Sequence, residues 1–233
     1  MPNHTTGNTT MPAVKTTPAE CFANLPGYDF KERYIQVRDA SYGQLKMHYV
    51  DCGGSKPNAP VALLLHGEPT WSYAYRDTIK TIAAAGFRVI APDHIGFGKS
   101  DKLPLRSDYS YAKFVTWMKT FVAQLDLHNI VVVMQDWGGP IGLSVLAAMP
   151  ERFAAAVTAN TLLPNCEPAP QGIAEWPSEA IKGWVELSKQ VDELPVSDIV
   201  AGVCVNPLPA DVKAAYDAPF PDASYQAAVL EFP

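Results

Sequence analysis

Three loops of this 233-residue chain concentrate the residues whose types and spacing could do chemistry. Each loop directly follows a short apolar run, which is the pattern of a buried strand. They read His66-Gly67-Glu68-Pro69-Thr70-Trp71, Pro92 to Asp101, and Gln135-Asp136-Trp137-Gly138-Gly139. Because the third loop also precedes a helical pattern, its carboxylate is the side chain that we interpret as a nucleophile.

The sequence around Asp136 has the strand–turn–helix context of a nucleophile elbow. An apolar run, 130–134, precedes it, and a helical pattern, 138–149, follows it. Gly138 and Gly139 would allow the tight turn and the close helix packing that such an elbow requires. Asp is also a favoured residue of turns and helix N-caps, so a purely structural role is the alternative interpretation.

The elements that must position these loops alternate between strands and helices. Such alternation predicts an α/β fold with a mostly parallel sheet, in which the loops at the carboxyl ends of the strands meet at one edge. The mixed polar and apolar pattern of the first two strands predicts an antiparallel edge. The predicted strands are 34–37, 46–50, 61–65, 87–91, 130–134 and 153–158, the last one buried, and the predicted helices are 72–85, 111–127 and 138–149.

Composition changes divide the chain into three predicted parts. Residues 1–24 begin with a Thr-, Pro- and Asn-rich stretch and are interpreted as a disordered tail. Residues 25–161 carry the strand–helix alternation and form the first part of the core. Residues 162–233 are rich in Pro and acidic side chains, with helical pieces at 178–191 and 211–217. We expect this last part to be an inserted helical cap over the carboxyl ends of the strands.

Charge and cysteine content exclude several classes of partner. The net charge is −6 and no basic cluster is present, which argues against nucleic acid and anionic membranes. No apolar run reaches the roughly 20 residues of a membrane span. The four cysteines are far apart, so neither a disulfide framework nor a zinc site is predicted. We expect a cytoplasmic protein, because the N-terminus has no apolar signal segment. We expect it to need neither a metal nor a cofactor.

Together the motifs resemble the haloalkane dehalogenases of the α/β-hydrolase superfamily, from about Leu25 to the end of the chain. An Asp-Trp-Gly elbow alone is shared with epoxide hydrolases, and the loop at 66–71 favours the dehalogenases. The motifs that carry the resemblance are Asp136-Trp137-Gly138-Gly139, His66-Gly67-Glu68-Pro69-Thr70-Trp71, and Ala218-Pro219-Phe220-Pro221-Asp222 with Ser224-Tyr225. The resemblance implies a monomer that hydrolyses small halogenated alkanes to an alcohol and a halide ion, a detoxifying reaction.

The resemblance also implies a role for each site residue. Asp136 would displace the halide and form an alkyl-aspartyl ester. Trp137 would donate its indole N–H to the halide, together with a cap tryptophan, for which Trp184 fits best and Trp176 is the alternative. The backbone N–H groups of Glu68 and Trp137 would form the oxyanion hole for ester hydrolysis. Each tryptophan could instead only pack in the core, which is the role that we assign to Trp71 and Trp117.

Two other functions remain open at this stage. An epoxide hydrolase would use cap tyrosines to protonate the epoxide oxygen, and Tyr216 and Tyr225 are available. A protein that binds halide or a small apolar ligand without turnover is the second alternative. Away from the nucleophile, we interpret His66 and His94 as bracing their loops and Asp93 as a structural turn residue.

Ester hydrolysis needs a general base, which in this superfamily follows the nucleophile in the chain. All five histidines, at positions 4, 48, 66, 94 and 128, precede Asp136. Asn160 stands where some dehalogenases carry the partner acid. The sequence therefore predicts an N-terminal fragment of a dehalogenase, without the last strands, the acid and the base.

Overall fold

A six-stranded sheet forms the centre of the computed structural model, which describes residues 13–54, 59–161 and 179–232. The strand order across the sheet is β1-β2-β4-β3-β5-β6. The strands are β1 (Arg33–Asp39), β2 (Gly43–Gly53), β3 (Val61–Leu65), β4 (Arg88–Pro92), β5 (Ile130–Gln135) and β6 (Phe153–Ala159).

The direction of the strands confirms the predicted mixed sheet. β1 and β2 form an antiparallel hairpin, and β2 also runs antiparallel to β4. β4, β3, β5 and β6 are parallel to one another. All five residues of β3 are buried, as expected for a continuously apolar strand in the middle of a parallel sheet. The three loops that carry the candidate site residues therefore leave neighbouring strands at the same edge of the sheet.

Helices cover the sheet and the edge where these loops emerge. A 3₁₀ turn (Ser72–Tyr75) begins the first predicted helix, and two short helices, α5 (Val196–Gly202) and α7 (Ala227–Glu231), were not predicted. The helices that follow the strands of the core are α1 (Arg76–Ala84), α2 (Tyr111–Gln124) and α3 (Gly138–Ala148), and those of the expected cap are α4 (Glu179–Gln190), α5 (Val196–Gly202), α6 (Ala210–Asp217) and α7 (Ala227–Glu231). Residues 162–178 of the expected cap lie outside the described residues.

The prediction of a disordered tail is wrong for residues 13–24. Lys15 exchanges two backbone hydrogen bonds with Lys102, each 2.8 Å long, and the Thr17 hydroxyl donates to the Pro219 carbonyl at 2.8 Å. A short 3₁₀ helix, Ala19–Phe22, follows. This stretch is ordered because its backbone groups pair with a loop of the core, which the composition of the segment does not reveal. Residues 1–12 lie outside the described part of the chain.

The last predicted strand is present but not buried. β6 pairs with β5 on one side, and all of its residues after Phe153 are exposed; Val157 is 48% exposed. Among the described residues no further strand pairs with its other edge. An apolar strand is buried only where neighbouring elements cover both faces, so the apolar run predicted the strand but not its burial.

Asp93 holds together the loop that follows β4, as predicted for a turn residue. Its fully buried carboxylate accepts the backbone N–H of Ser72 and that of Lys99, both at 2.9 Å. It also accepts a 2.8 Å hydrogen bond from the buried imidazole of His48. Burial alone would raise the pKa of Asp93, but His48 and these donors hold it well below its ordinary value.

We expect Asp93→Asn to lower the free energy of unfolding by about 3 kcal/mol, because it breaks a buried ion pair and its hydrogen bonds. A carboxyl group whose pKa is lowered on folding stabilises the protein above its unfolded pKa of about 4, and this contribution disappears as the pH falls. Urea unfolding at neutral and acidic pH measures both effects. The matched control is Asp29→Asn, since Asp29 is exposed. Equal unfolding midpoints for the two variants would contradict the assignment.

Candidate active site

The backbone at Asp136 adopts the left-handed conformation that L-amino acids avoid, with φ of +52°. The backbone N–H and carbonyl groups of Asp136 are both hydrogen-bonded. The Asp136 N–H donates to the Asn160 carbonyl at 3.2 Å, and its carbonyl accepts the Gly139 N–H at 2.9 Å and the Thr161 hydroxyl at 2.6 Å. The turn between β5 and α3 is thus the sharp elbow that the sequence predicts, and it aims the carboxyl group away from the strand.

Gly138 lets α3 start directly against the neighbouring strand β3. A Cβ atom at this position would collide with the backbone carbonyl groups of Leu65 and His66. Backbone cannot move aside as a side chain can, so a larger residue would push the helix off the sheet. The glycine that follows the Asp-Trp pair is therefore required by packing as well as by the turn.

Two backbone N–H groups point at the Asp136 carboxyl group. The Glu68 N–H donates to Asp136 Oδ1 at 2.9 Å, and the Trp137 N–H donates to the same carboxyl group. Glu68 lies in the loop after β3 and Trp137 lies at the start of α3, so the donors come from adjacent strand ends. The structure brings together the two donors that the sequence analysis paired.

A second carboxyl group, that of Glu68, faces the same space. Its Oε1 atom is closed off from solvent and has no hydrogen-bond partner among the described residues. The Trp184 indole of α4 lies close enough to this carboxyl group to lower its pKa. Asp136, Glu68, Trp137 and Trp184 therefore form one cluster. The alternative tryptophan, Trp176, lies outside the described residues.

Burial sets the electrostatics of the two carboxyl groups. It raises the pKa of Asp136, and the N–H groups of Trp137 and Glu68 partly reverse that rise. Burial also raises the pKa of Glu68 well above its usual value, and the nearby Asp136 carboxylate raises it further. The Trp184 indole opposes this rise. Because backbone donors favour its charged form, the Asp136 carboxyl group loses its proton more easily than that of Glu68.

A small apolar cavity of about 50 Å³ lies against the Trp137 indole. The rings of Phe232 and Tyr111 stand 5.0 Å and 6.3 Å from it, measured between centroids. The Phe114 ring closes another side and contacts Phe232 at 4.2 Å. Sequence analysis missed these aromatic walls, because they come from helices that are distant in the sequence.

His66 braces the loops by hydrogen bonds, as predicted, whereas the buried Nε2 of His94 has no hydrogen-bond partner among the described residues. His66 Nδ1 lies 3.0 Å from the Gly67 carbonyl, and its Nε2 accepts the His94 backbone N–H at 3.0 Å. This arrangement is that of a neutral imidazole, and burial lowers the pKa of His66. Trp71 and Trp117 are buried in the core, and Trp71 donates to the Ala215 carbonyl of α6.

The two cap tyrosines do not join the cluster. The Tyr216 ring packs at 5.3 Å from Tyr73, and its hydroxyl faces Arg76. Tyr225 receives the Lys15 ammonium over its ring. Neither is recorded as a partner of Asp136. These contacts remove the observation on which an epoxide hydrolase would depend.

Comparison with known proteins agrees with this geometry. A sequence model of the α/β-hydrolase fold matches residues 60–194. A haloalkane dehalogenase from Psychrobacter cryohalolentis is 43% identical over 220 residues, which cover 94% of this chain and 70% of the relative. One from Mycobacterium marinum is 42% identical, with 94% and 71% covered. This chain belongs to the haloalkane dehalogenase family. It is by family a hydrolase that acts on carbon–halide bonds.

A solved structure extends the likeness from sequence to fold. The tetrameric haloalkane dehalogenase DpaA from Paraglaciecola agarilytica NO2 superposes with a TM-score of 0.84 at 37% identity. The match covers 95% of the present dehalogenase and 71% of DpaA. Within the described residues of this dehalogenase, no helix is long and apolar enough to cross a membrane. The same residues contain no group of three His, Cys, Asp or Glu side chains that could hold a metal ion.

Gly67 provides a test of how closely the two loops of this dehalogenase site approach. A Cβ atom at Gly67 would collide with the Asp136 side chain. We expect Gly67→Ala to lower the free energy of unfolding by about 2 kcal/mol through overpacking. Urea unfolding measures the change.

The matched control is Gly183→Ala in α4, where a Cβ atom meets no neighbour within 4 Å. There the substitution is expected to raise stability by about 0.5–1 kcal/mol, because alanine favours the helix. If both variants were stabilised, the close approach of Gly67 to Asp136 would be refuted.

Proposed function

We propose that Asp136 is the nucleophile of a hydrolytic dehalogenation. One carboxylate oxygen attacks the carbon that bears the halogen, the carbon–halogen bond breaks in line with the attack, and its electron pair leaves with the halide ion. The product of this step is an alkyl ester of Asp136. The observation that carries the proposal is the carboxyl group at a left-handed elbow, held by two backbone N–H donors.

The halide ion is proposed to bind between the indoles of Trp137 and Trp184. Indole N–H groups donate hydrogen bonds to an anion and carry no basic nitrogen that the substrate could alkylate. Trp137 follows the nucleophile directly, and Trp184 reaches the same cluster from α4. Trp184 is therefore the proposed second donor, with Trp176 as the alternative.

Hydrolysis of the ester would place negative charge on the oxygen that was Asp136 Oδ1. The N–H groups of Glu68 and Trp137 already donate to this carboxyl group. We propose that they stabilise the tetrahedral intermediate as an oxyanion hole before the alcohol leaves and the carboxylate is restored.

The general base of that second step is not among the described histidines. His48 pairs with Asp93, His66 with its own loop, and the exposed His128 with Asp126. The buried His94 ring packs at a tilt against that of His66, with the centroids 4.4 Å apart. We therefore propose that the chain as given forms the ester and does not turn over.

The proposed substrates are short chloro- or bromoalkanes with a terminal halogen. Two indole donors imply a small, dry halide pocket, which favours short alkyl chains. Under this proposal residues 25–161 supply the nucleophile and residues 162–233 form a helical cap that supplies Trp184. An epoxide hydrolase is not favoured, because Tyr216 and Tyr225 have other partners.

We expect 1,2-dibromoethane to alkylate the protein once, at Asp136. Intact mass spectrometry should show one bromoethyl adduct per chain, and peptide mapping should place it on the peptide that contains Asp136. Asp136→Asn is the matched variant, because an amide keeps the shape but lacks the attacking carboxylate. It should give no adduct.

Two results would contradict these proposals in different ways. Release of many equivalents of bromide per chain would show that a base is present and that the ester turns over. An adduct that persists in Asp136→Asn would show that another side chain is the nucleophile.

The alkylation rate should fall at acidic pH, because only the ionised Asp136 carboxylate attacks carbon. Burial raises the pKa of Asp136 above its ordinary value of about 4, so the midpoint of this fall should lie above that value. Initial rates of adduct formation at a series of pH values measure it. A midpoint at or below the value of a free aspartate would argue against the buried environment of the nucleophile.

A further inference from the structure

The Glu68 side chain is a buried carboxyl group that the proposed chemistry leaves unused. Only its backbone N–H has a role in the oxyanion hole, yet its carboxyl group faces Asp136 inside the same cluster. Two carboxylates in one poorly solvated space repel each other, and one of them takes up a proton unless other groups stabilise both charges. The site must therefore determine which carboxyl group stays ionised.

Hydrogen-bond donors favour the charge on Asp136. Two backbone N–H groups are directed at its carboxyl group. Within the described part of the chain Glu68 has no backbone donor, and its Oε1 atom is closed off from solvent and has no partner there. A buried carboxylate oxygen without a donor is costly, whereas a protonated carboxyl group carries no net charge there. This asymmetry directs the proton to Glu68.

The other groups around Glu68 provide no positive charge to reverse this preference. His66, two residues away, is buried and uses its ring nitrogens within the loops, and burial lowers its pKa. Tyr75 donates its hydroxyl to the Leu65 carbonyl, and burial together with Asp136 raises its pKa, which keeps it neutral. Trp184 of α4 does not titrate. Among the described residues, Asp136 is the charged group that acts on Glu68.

We propose that Glu68 works as a neutral acid: its buried carboxyl group stays protonated and leaves Asp136 as the only negative charge that faces the departing halide. This inference rests on the proposed function, because it assumes a halide site at the two indoles. Ionisation of Glu68 would place a second anion beside the halide and weaken halide binding.

Bromide binding, followed by quenching of tryptophan fluorescence, tests the charge state. At neutral pH, Glu68→Gln should bind bromide within about threefold of the wild type, since both side chains are neutral. At higher pH the wild type should weaken by about tenfold or more as Glu68 ionises, and Glu68→Gln should not follow it.

Glu186→Gln on α4 is the matched control, because Glu186 lies on the same helix as Trp184 but is exposed and paired with Lys189. It should show the wild-type pH dependence. The inference is overturned if Glu68→Gln binds bromide about tenfold more tightly or more weakly than the wild type at neutral pH. It is also overturned if bromide binding by Glu68→Gln and by the wild type has the same pH dependence. Circular dichroism confirms that each variant is folded.

Infrared spectroscopy separates this inference from the proposed halide site. The difference spectrum between the wild type and Glu68→Gln at neutral pH should contain the carbonyl stretch of a protonated carboxyl group. Bromide binding without that band would refute the neutral Glu68 and leave the proposed halide site intact. The band without bromide binding in the wild type would refute the halide site while Glu68 is still shown to be protonated.

Discussion

A carboxyl group held at a left-handed turn is the constraint on which the rest of this structure depends. The backbone conformation of Asp136 costs about 1–2 kcal/mol for an L-residue, so the surroundings must enforce it. Gly138 admits the backbone of β3, the Thr161 hydroxyl holds the Asp136 carbonyl, and the Glu68 N–H holds its carboxyl group. The ends of β3 and β6 are thus tied to one residue at the end of β5, and both must be in place for the elbow to form.

Support for the elbow extends from one strand end to the next. The loop after β3 carries Glu68, and His66 connects that loop to the one after β4 by accepting the His94 N–H. Asp93 then connects the β4 loop back to Ser72, just beyond the β3 loop, and across to His48 of β2. Buried polar groups that are fully paired fix a unique arrangement. The position of the Glu68 N–H therefore depends on a chain of contacts that ends far from the nucleophile.

The sequence predicts those features that depend on neighbours along the chain. Apolar runs predicted four strands and a mixed polar and apolar pattern predicted the first two, and the Asp136 elbow was visible because a strand, a turn and a helix are consecutive. Contacts between distant segments were not visible. The pairing of Lys15 with Lys102 orders a stretch whose composition is that of a tail, and β6 is apolar but uncovered. The facing carboxyl groups of Glu68 and Asp136 likewise depend on the packing of two separate loops.

Conservation of charge explains why such a site would contain indoles rather than lysines or arginines. In the proposed displacement, the negative charge on Asp136 moves to the halide, so the pocket holds one negative charge before and after the step. Neutral donors can stabilise one anion at either position, whereas a fixed cation would hold the carboxylate and weaken it as a nucleophile. A second ionised carboxyl group would disturb this balance at every stage. Neutrality of Glu68 is therefore the condition under which neutral donors suffice.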